Sequence, residues 1–329
     1  MNNRLAFIDM LRGLSILYIV GFWHLMDYTN VFPTYSNVVT LRLTVAIMGL
    51  FVFLSGYLLN SKGFELNSTS LRSFYIKRFL RIYPLYLIAL IWFYFFHLSD
   101  AVTLLKAGVL ISMFLGPPPP TLWFITMIMV FYLMAPFLIA ASRQSLKYWL
   151  VVSLILIVMV SLSFLSPISD SRILIYFPAF VSGIYVATIK KVASKSAMFL
   201  LIIVGLFSVI LSMFVKGLPE RSYLSIPLAT ISPILIFYVS KKYGDFISKF
   251  KFFSIISYAS FVMYLIHRPI YLFMKWLYLR LPKIMDDDLQ IIFYLFVICL
   301  PIVIIVSFYI QKTYNNVLLV INKERVVNG

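Results

Sequence analysis

Two of the three histidines in the sequence lie inside long apolar segments, where an ionisable side chain is costly and is usually functional. His24 ends the run LRGLSILYIVGFWH, and His267 lies within SYASFVMYLIHRPI. At a helical rise of ~1.5 Å per residue, His24 lies ~18 Å beyond Arg12, and His267 lies ~21 Å from the start of its own segment, so both reach a similar depth. An imidazole at that depth can act as a base or nucleophile, or it can simply hydrogen-bond a backbone carbonyl, and the spacing leaves both readings open.

Paired basic side chains occur in the segment SFYIKRFLRIYPLYL, where Arg78 and Arg81 are three residues apart. On a helix this spacing projects two guanidinium groups from one face, and guanidinium groups bind phosphates through two parallel hydrogen bonds. The alternative is that these arginines mark the cytoplasmic end of a membrane helix and meet anionic lipid heads. The sequence therefore indicates a phosphate site or a topology signal here.

Asp9 and Arg12 also lie three residues apart, on one face of the first helical turns, where an ion pair is predicted at the inner membrane boundary. A purely structural role for this pair is an equal alternative. Ser55, in FVFLSGYLL, can donate a hydrogen bond across helices, and Trp123, in LWFITMIMVFYLMAP, is typical of a residue at the outer membrane interface. The single cysteine, Cys299, lies in an apolar run, so neither a disulfide nor a thiol metal site is predicted, and no metal is expected.

These side chains need a membrane scaffold to position them. Of the 329 residues, 62% are apolar and only 12% are charged, and apolar stretches of about 20 residues recur along the chain. An all-α polytopic membrane protein with about ten transmembrane helices is predicted, as a single membrane domain over 1–329. The predicted spans are 5–26, 40–60, 82–98, 121–141, 148–166, 173–189, 197–215, 222–240, 253–279 and 289–311.

The net charge of +17 does not indicate nucleic-acid binding, because the basic residues are scattered among short connections rather than clustered on one soluble face. Most of the 28 lysines and arginines fall on one side of the predicted spans, which places both termini in the cytoplasm by the positive-inside rule. The segment 101–116, between the third and fourth spans, is too short for a span and leads into four prolines. It is predicted to be a re-entrant or interfacial element on the outer side.

Five of these stretches, taken in order, resemble acyltransferase family 3. They are IDMLRG followed by His24, FLSGYLL, RFLRIYPLY, LWFI with a tyrosine downstream, and SYASFVMYLIHRPI, and the resemblance runs from about residue 4 to residue 311. Members of this family are integral-membrane acyltransferases, many of which O-acetylate bacterial surface polysaccharides. The chain is most similar to the short, single-domain branch, because Ile128 stands where another branch has Glu, and an extra hydrolase-like domain is not expected.

The resemblance implies acetyl-CoA as the acyl donor, entering from the cytoplasm, and a hydroxyl of a cell-surface or lipid-linked glycan as the acceptor. It implies that His24 is the catalytic base or a transient nucleophile, and that Arg78, Arg81 and Arg12 bind the donor. His267 corresponds to a histidine that the family has in a helix near the end of the domain. Five residues are expected to orient or bind substrate: His267, Tyr264, Ser55, Asp9 and Trp123. The implied location is the inner membrane of a bacterium, in contact with membrane lipids, whereas the oligomeric state stays open.

One departure from the family concerns the first helix, where the usual pattern has ten residues between the arginine and the histidine. Eleven residues separate Arg12 from His24, which rotates the histidine by about 100° on a regular helix. Either a bulge near Gly21 restores the phase, or the two side chains do not share a face. A different function, export or flipping of a lipid-linked glycan, would also use buried polar groups, and a structural membrane partner is the plainest alternative.

Overall fold

The structure is a computed structural model that describes residues 6–61, 64–166, 168–189, 194–244, 250–284 and 286–327, with side chains up to residue 321. Residue 5, where the first predicted span begins, lies outside the described residues. This part of the chain is helical and contains no strand, as predicted. In chain order the helices are α1 (Ala6–Tyr18), α2 (Val38–Asn60), α3 (Ser68–Phe95), α4 (Ala101–Gly108), α5 (Trp123–Ala141), α6 (Ser145–Leu165), α7 (Arg172–Ile189), α8 (Lys195–Met213), α9 (Ile226–Tyr243), α10 (Lys251–Tyr278), α11 (Asp287–Phe293) and α12 (Leu300–Val327).

The described residues form two compact units. The first unit consists of the described parts of 1–35, 79–97 and 245–329, and the second consists of those of 36–78 and 98–244. The helix α3 contributes its residues up to Arg78 to the second unit and the rest to the first.

In the first unit, α10 packs against both α1 and α12. A π-helical turn, Ile19–Trp23, continues α1, and a second one, Tyr294–Cys299, joins α11 to α12 into one long helix. The helix α12 is also tied to α3 by the Tyr314 hydroxyl, which donates to the carbonyl of Leu80. The pairing of α1 with α10 is the feature that brings His24 and His267 together.

In the second unit, α2 is the central helix and packs against α5, α7 and α9. Glycines allow α2 and α7 to approach closely, because a Cβ at Gly56 would lie 2.3 Å from the carbonyl oxygen of Phe180. A Cβ at Gly183 would lie 2.1 Å from the carbonyl oxygen of Phe53. Both glycines therefore allow the backbones of α2 and α7 to pack in direct contact.

Nine helical stretches of the described chain are long and apolar enough to cross a bilayer, and they correspond to nine of the ten predicted spans. The other predicted span, 253–279, forms the 28-residue helix α10, which is long enough but carries more polar side chains. The helix that contains the third predicted span, α3, begins well before that span, at Ser68, where the Asn67 side chain accepts a hydrogen bond from the amide of Ser70. Its basic first turns are not apolar, so the apolar run alone could not reveal them.

The segment 101–116 does not form a span. It contains the eight-residue helix α4, which at ~1.5 Å per residue is too short to cross ~30 Å of hydrocarbon. The ammonium group of Lys106, in the last turn of α4, donates to the carbonyls of Leu115 and Gly116 and so closes the turn before the prolines. A re-entrant or interfacial position for this segment stays a prediction.

Candidate active site

The end of α1 contains the bulge that the residue spacing suggested. Residues Ile19–Trp23, with Gly21 at their centre, form a π-helical turn, and the amide of His24 donates to the carbonyl of Ile19, five residues earlier, at 2.9 Å. A π-helical turn accommodates one extra residue relative to an α-helix. The Val20 carbonyl, which the His24 amide would bind in an α-helix, instead accepts a hydrogen bond of 3.0 Å from the Tyr271 hydroxyl.

Because of this bulge, Arg12 and His24 lie on the same face of the first helix despite their eleven-residue separation. The guanidinium of Arg12 donates to the hydroxyl of Ser260 at 3.0 Å, and His24 contacts His267, so both side chains meet α10. The Ser257 hydroxyl donates to the carboxylate of Asp9 at 2.8 Å on the same interface. Of the two alternatives left open by the sequence, the structure supports the bulge and the shared face.

His24 and His267 form a hydrogen-bonded pair. His24 Nδ1 lies 2.9 Å from His267 Nε2, and the two rings are nearly parallel, at 8°, with their centroids 4.9 Å apart. His267 Nδ1 lies 3.0 Å from the carbonyl oxygen of Met263, one turn earlier in α10. The side chain of His267 is fully buried, whereas that of His24 is partly exposed.

These contacts fix the tautomers of both rings when both are neutral. A carbonyl oxygen can only accept, so Nδ1 of His267 carries the proton and its Nε2 is an acceptor. His24 must therefore donate through Nδ1, which leaves its Nε2 as the unprotonated nitrogen. Among the described residues none donates a hydrogen bond to that nitrogen, so its lone pair is available to an incoming hydroxyl.

Aromatic rings hold His267 in place along α10. The Tyr264 ring, predicted as an orienting residue, has its centroid 6.0 Å from the His267 ring, and the Tyr271 ring lies 5.9 Å away on the next turn. The Tyr271 hydroxyl is the donor to Val20 O described above, so one side chain both flanks His267 and stabilises the bulge that carries His24. Sequence reasoning missed Tyr271, although its i+4 position relative to His267 was a usable signal.

A charged pair lies beside the histidines. The Arg268 guanidinium donates to the Asp27 carboxylate at 3.3 Å, and Asp27 also accepts from the Tyr35 hydroxyl. The hydroxyl of Tyr28 donates to the backbone carbonyl of Arg268 at 3.4 Å. Three turn residues beyond His24 are thus tied to α10 or to one another, which fixes the chain leaving the first helix. Asp27 and Arg268 were not predicted as site residues.

In the second unit, a basic pocket of about 690 Å³ surrounds Arg78. Its charged walls are Lys77, Arg78 and Arg143, with Glu65 as the acidic residue, and the hydroxyls of Thr69, Ser70 and Ser73 also line it. The Arg78 guanidinium lies over the rings of Phe74 and Tyr132, at 5.6 and 5.9 Å from their centroids. This set of cations and hydroxyl donors fits the phosphate groups of a nucleotide. Arg81 is exposed and belongs to the part of α3 in the first unit.

Two predicted substrate residues lie in packed positions of the second unit. Trp123 is buried beneath Arg172, whose guanidinium carbon is 3.9 Å from its ring centroid. The hydroxyl of Ser55 donates to the carbonyl of Phe51 in its own helix, at 2.9 Å, which differs from the expected bond across helices. A back-bond of this kind is common for serine in apolar helices.

Arg172 is held by two carboxylates. It binds Asp170 at 2.6 and 2.8 Å and Glu220 at 3.2 Å. Burial alone raises the pKa of Asp170, but its hydrogen bonds with Arg172 and the positive charge outweigh burial and lower the pKa below the usual value. Arg172, Asp170 and Glu220 thus form a charged cluster against the Trp123 ring at the start of α7.

Comparison with known families defines the class of protein. The sequence profile of acyltransferase family 3, described as an acyltransferase domain, matches residues 5–312 of the 329-residue chain. The chain therefore belongs to this family, and its long apolar helices show a membrane-embedded acyltransferase. Neither a curated protein nor a solved structure was found to match the chain.

Proposed function

We propose that this protein is a membrane O-acyltransferase that moves an acetyl group from acetyl-CoA to a hydroxyl of a cell-surface or lipid-linked glycan. The observation that carries the proposal is the His24–His267 pair, in which the Met263 carbonyl leaves Nε2 of His24 unprotonated. An acyl transfer to an alcohol requires a base for the hydroxyl proton, and this nitrogen supplies one. Membership of an acyltransferase family gives the reaction class.

In this reaction, His24 Nε2 takes the proton as the O–H bond of the acceptor hydroxyl breaks. The hydroxyl oxygen forms a new bond to the thioester carbonyl carbon, and the C–S bond of the donor then breaks. The departing sulfur takes the proton back from Nε2, so an ester and free thiol are the products and His24 returns to its starting state. In a two-step version, Nε2 attacks the thioester carbonyl carbon as the C–S bond breaks and the thiolate leaves. The acceptor hydroxyl then attacks the acetyl carbon, the bond between that carbon and Nε2 breaks, and the hydroxyl proton passes to the thiolate.

His267 acts through His24. While Nε2 of His24 holds the proton, the Nδ1–H of His24 still donates to Nε2 of His267, so the ring keeps its orientation throughout the cycle. This arrangement parallels the base and orienting group of a catalytic triad, with a neutral imidazole and a peptide carbonyl in place of a carboxylate. His267 is therefore a positioning residue.

The basic pocket around Arg78 supports the proposed donor. Coenzyme A carries three phosphate groups, and the pocket offers three cationic side chains and a row of hydroxyl donors. We therefore propose that Arg78 and Arg143 bind the phosphate groups of the donor. The roles expected for Arg81 and Arg12 stay predictions, because Arg81 is exposed and Arg12 is bonded to Ser260.

The proposed location is the cytoplasmic membrane of a bacterium, with both termini in the cytoplasm and the donor arriving from that side. The distribution of lysine and arginine among the connections supports this orientation. Fusion of a reporter active only in the cytoplasm to either terminus tests it, and an inactive reporter at both ends would reverse the orientation.

The proposed activity is tested by mass spectrometry of surface glycans from cells with the wild-type gene, without it, and with His24→Ala. We expect one acetyl group per modified sugar to be lost in the deletion strain and in the variant. His97→Ala is the matched control, because His97 is exposed at the end of α3 and is expected to leave acetylation unchanged. In the contrary outcome, the glycan of the deletion strain is still acetylated but no longer reaches the cell surface. The protein would then be an exporter, and the proposal would be wrong.

A further inference from the structure

A pocket of about 400 Å³ lies in the first unit, close to the end of α10 that follows the histidine pair. One wall is the turn 29–31, which comes directly after the chain segment tied to Arg268. The other is made by described residues between 278 and 291, from the end of α10 through the connection into α11. Both walls therefore belong to segments that follow the two histidines in the sequence, residues 29–31 after His24 and residues 278–291 after His267.

The walls of the pocket are held by internal hydrogen bonds. The Gln290 side chain donates to the carbonyl of Pro282 at 3.1 Å and accepts from the amide of Ile284 at 2.9 Å. The ring of Tyr278 rests on that of Tyr294, with centroids 5.2 Å apart. A pocket formed in this way needs little ordering when a ligand binds, and preformed sites of this volume are the usual size for small-molecule ligands.

The chemistry of the lining differs from that of the basic pocket around Arg78. The only cation that lines it among the described residues is Lys283, and its ammonium group is paired with Asp287 at 2.6 Å. The remaining polar side chains are the carboxylate of Asp288, the amides of Asn30 and Gln290, and the hydroxyls of Thr29 and Tyr278. Carboxylates and amides pair with the hydroxyl groups of a sugar, whereas the negative charge of Asp288 disfavours phosphates.

The distance from the pocket to the histidines sets the length of a ligand that reaches both. Tyr278 lies eleven residues beyond His267 on α10, or ~16 Å along the helix axis. On the other wall, Thr29 follows Tyr28, whose ring meets that of Tyr271 with centroids 5.3 Å apart. A ligand that contacts the Tyr278 side of the pocket and also presents a hydroxyl to His24 has to extend over about this length, which is longer than one sugar ring and corresponds to a short chain of sugars.

We propose that this pocket binds a sugar residue of an oligosaccharide acceptor, at a distance along the chain from the hydroxyl that is acetylated. The inference rests on the proposed function and adds to it a requirement for acceptor length. Binding energy gained at the pocket is present in both the ground state and the transition state, so it lowers KM without changing kcat.

The test uses the unacetylated surface glycan from cells that lack the gene, cleaved and separated into fragments of increasing length. Acetyl transfer from radiolabelled acetyl-CoA to each fragment is measured with the purified full-length protein. For the wild type we expect KM to fall as the fragments become long enough to reach the pocket. In Asn30→Ala and Asp288→Asn we expect KM for long fragments to rise about tenfold, with kcat and the KM of the shortest fragments unchanged.

The control variant is Arg280→Gln, because Arg280 lies on the same connection but its guanidinium covers the Trp276 ring, at 3.5 Å, and does not line the pocket. Equal KM values for short and long fragments in the wild type, or unchanged KM values in both pocket variants, would overturn the inference and leave the proposed function intact. If no fragment is acetylated, the proposed function fails instead. Binding of the long fragments is then compared between the His24→Ala protein and the double variant that also carries Asp288→Asn. Equal binding to the two proteins overturns the inference about the pocket. Weaker binding to the double variant supports it.

Discussion

His24 Nδ1 and His267 Nε2 lie 2.9 Å apart, although the two histidines are separated by 243 positions in the sequence. This contact joins the first transmembrane helix to α10 directly after the π-helical turn Ile19–Trp23 that continues α1. Catalysis is therefore expected to depend on three local features: the tautomer of His24, the phase of the first helix, and the packing that keeps each unit intact.

The tautomer predicts different results for two substitutions of His267. In His267→Phe the ring is retained but the acceptor is lost, and we expect kcat to fall by about 10²–10⁴. In His267→Gln the amide oxygen can still accept from Nδ1 of His24, so a larger part of kcat should survive. Both are measured with purified protein of verified thermal stability. Equal losses in the two variants would show that His267 serves only packing.

The π-helical turn predicts opposite effects of deletion and insertion. Deleting Gly21 removes the extra residue and leaves ten residues between Arg12 and the histidine, which keeps both on the α10 face of a regular helix. We expect activity to be retained at a reduced level. Inserting one alanine after Gly21 rotates the histidine by about 100°, and we expect a loss of more than 100-fold. Acetyl transfer by the two purified proteins checks the contrast, and an active insertion variant would contradict it.

The close approach of α2 and α7 predicts a large cost for a single methyl group. In Gly183→Ala the new Cβ would lie 2.1 Å from the carbonyl oxygen of Phe53, so the helices must separate, and we expect a loss of about 2 kcal/mol or more in the free energy of unfolding. Gly205→Ala is the matched control, because its Cβ would be 3.6 Å from the Leu235 side chain. Thermal unfolding in detergent should show a lower midpoint for the first variant and an unchanged or higher one for the second.

The charged cluster against Trp123 predicts that the free energy of unfolding depends on pH. Since Asp170 has a lowered pKa in the folded protein, its contribution is fully present above the ordinary value of about 4 and is lost as the pH falls through the lowered pKa. Asp170→Asn leaves buried Arg172 with Glu220 as its remaining acidic partner among the described residues. We expect a loss of about 3 kcal/mol at neutral pH. Below pH 4 the difference between wild type and variant should shrink, and a constant difference would argue against the ion pair.

The basic pocket predicts which arginines bind the donor. Each of Arg78→Gln and Arg143→Gln removes one cation from the pocket lining, and we expect about a tenfold weaker affinity for coenzyme A. Arg81→Gln tests whether the other arginine predicted to bind the donor, exposed on the following turn of α3, also contributes to this affinity. Calorimetric titration of the purified proteins measures the three affinities. A loss in Arg81→Gln as large as in Arg78→Gln would mean that both arginines bind the donor.

The sequence alone predicted the helical membrane architecture and much of the histidine site. Apolar runs of bilayer length located most helices, and helical rise placed His24 and His267 at similar depth, where the structure shows them in contact. The extra residue before His24 was visible as a spacing, so a bulge could be proposed. These predictions succeeded because they depend on periodicity within one segment.

The side chains that the sequence could not identify are those whose role depends on distant partners. Arg143 follows α5 in the sequence, and only the packing of separate helices places it in the same pocket as Arg78 on α3. Trp123 had the position of an interface residue, and its contact with Arg172 required the pairing of α5 with α7. No rule of spacing within one helix carries this information, because the packing of separate helices creates the contact.

The hydrogen-bond chain that orients His24 ends on the main-chain carbonyl of Met263. Every residue type presents that oxygen, so replacement of Met263 by another helix-forming side chain leaves the acceptor in place. Random mutation can therefore disable the orientation of His24 by removing either histidine or by distorting α10, but not by changing the residue that supplies the final acceptor. This part of the site is encoded in the helical backbone, and it is protected from substitution at position 263.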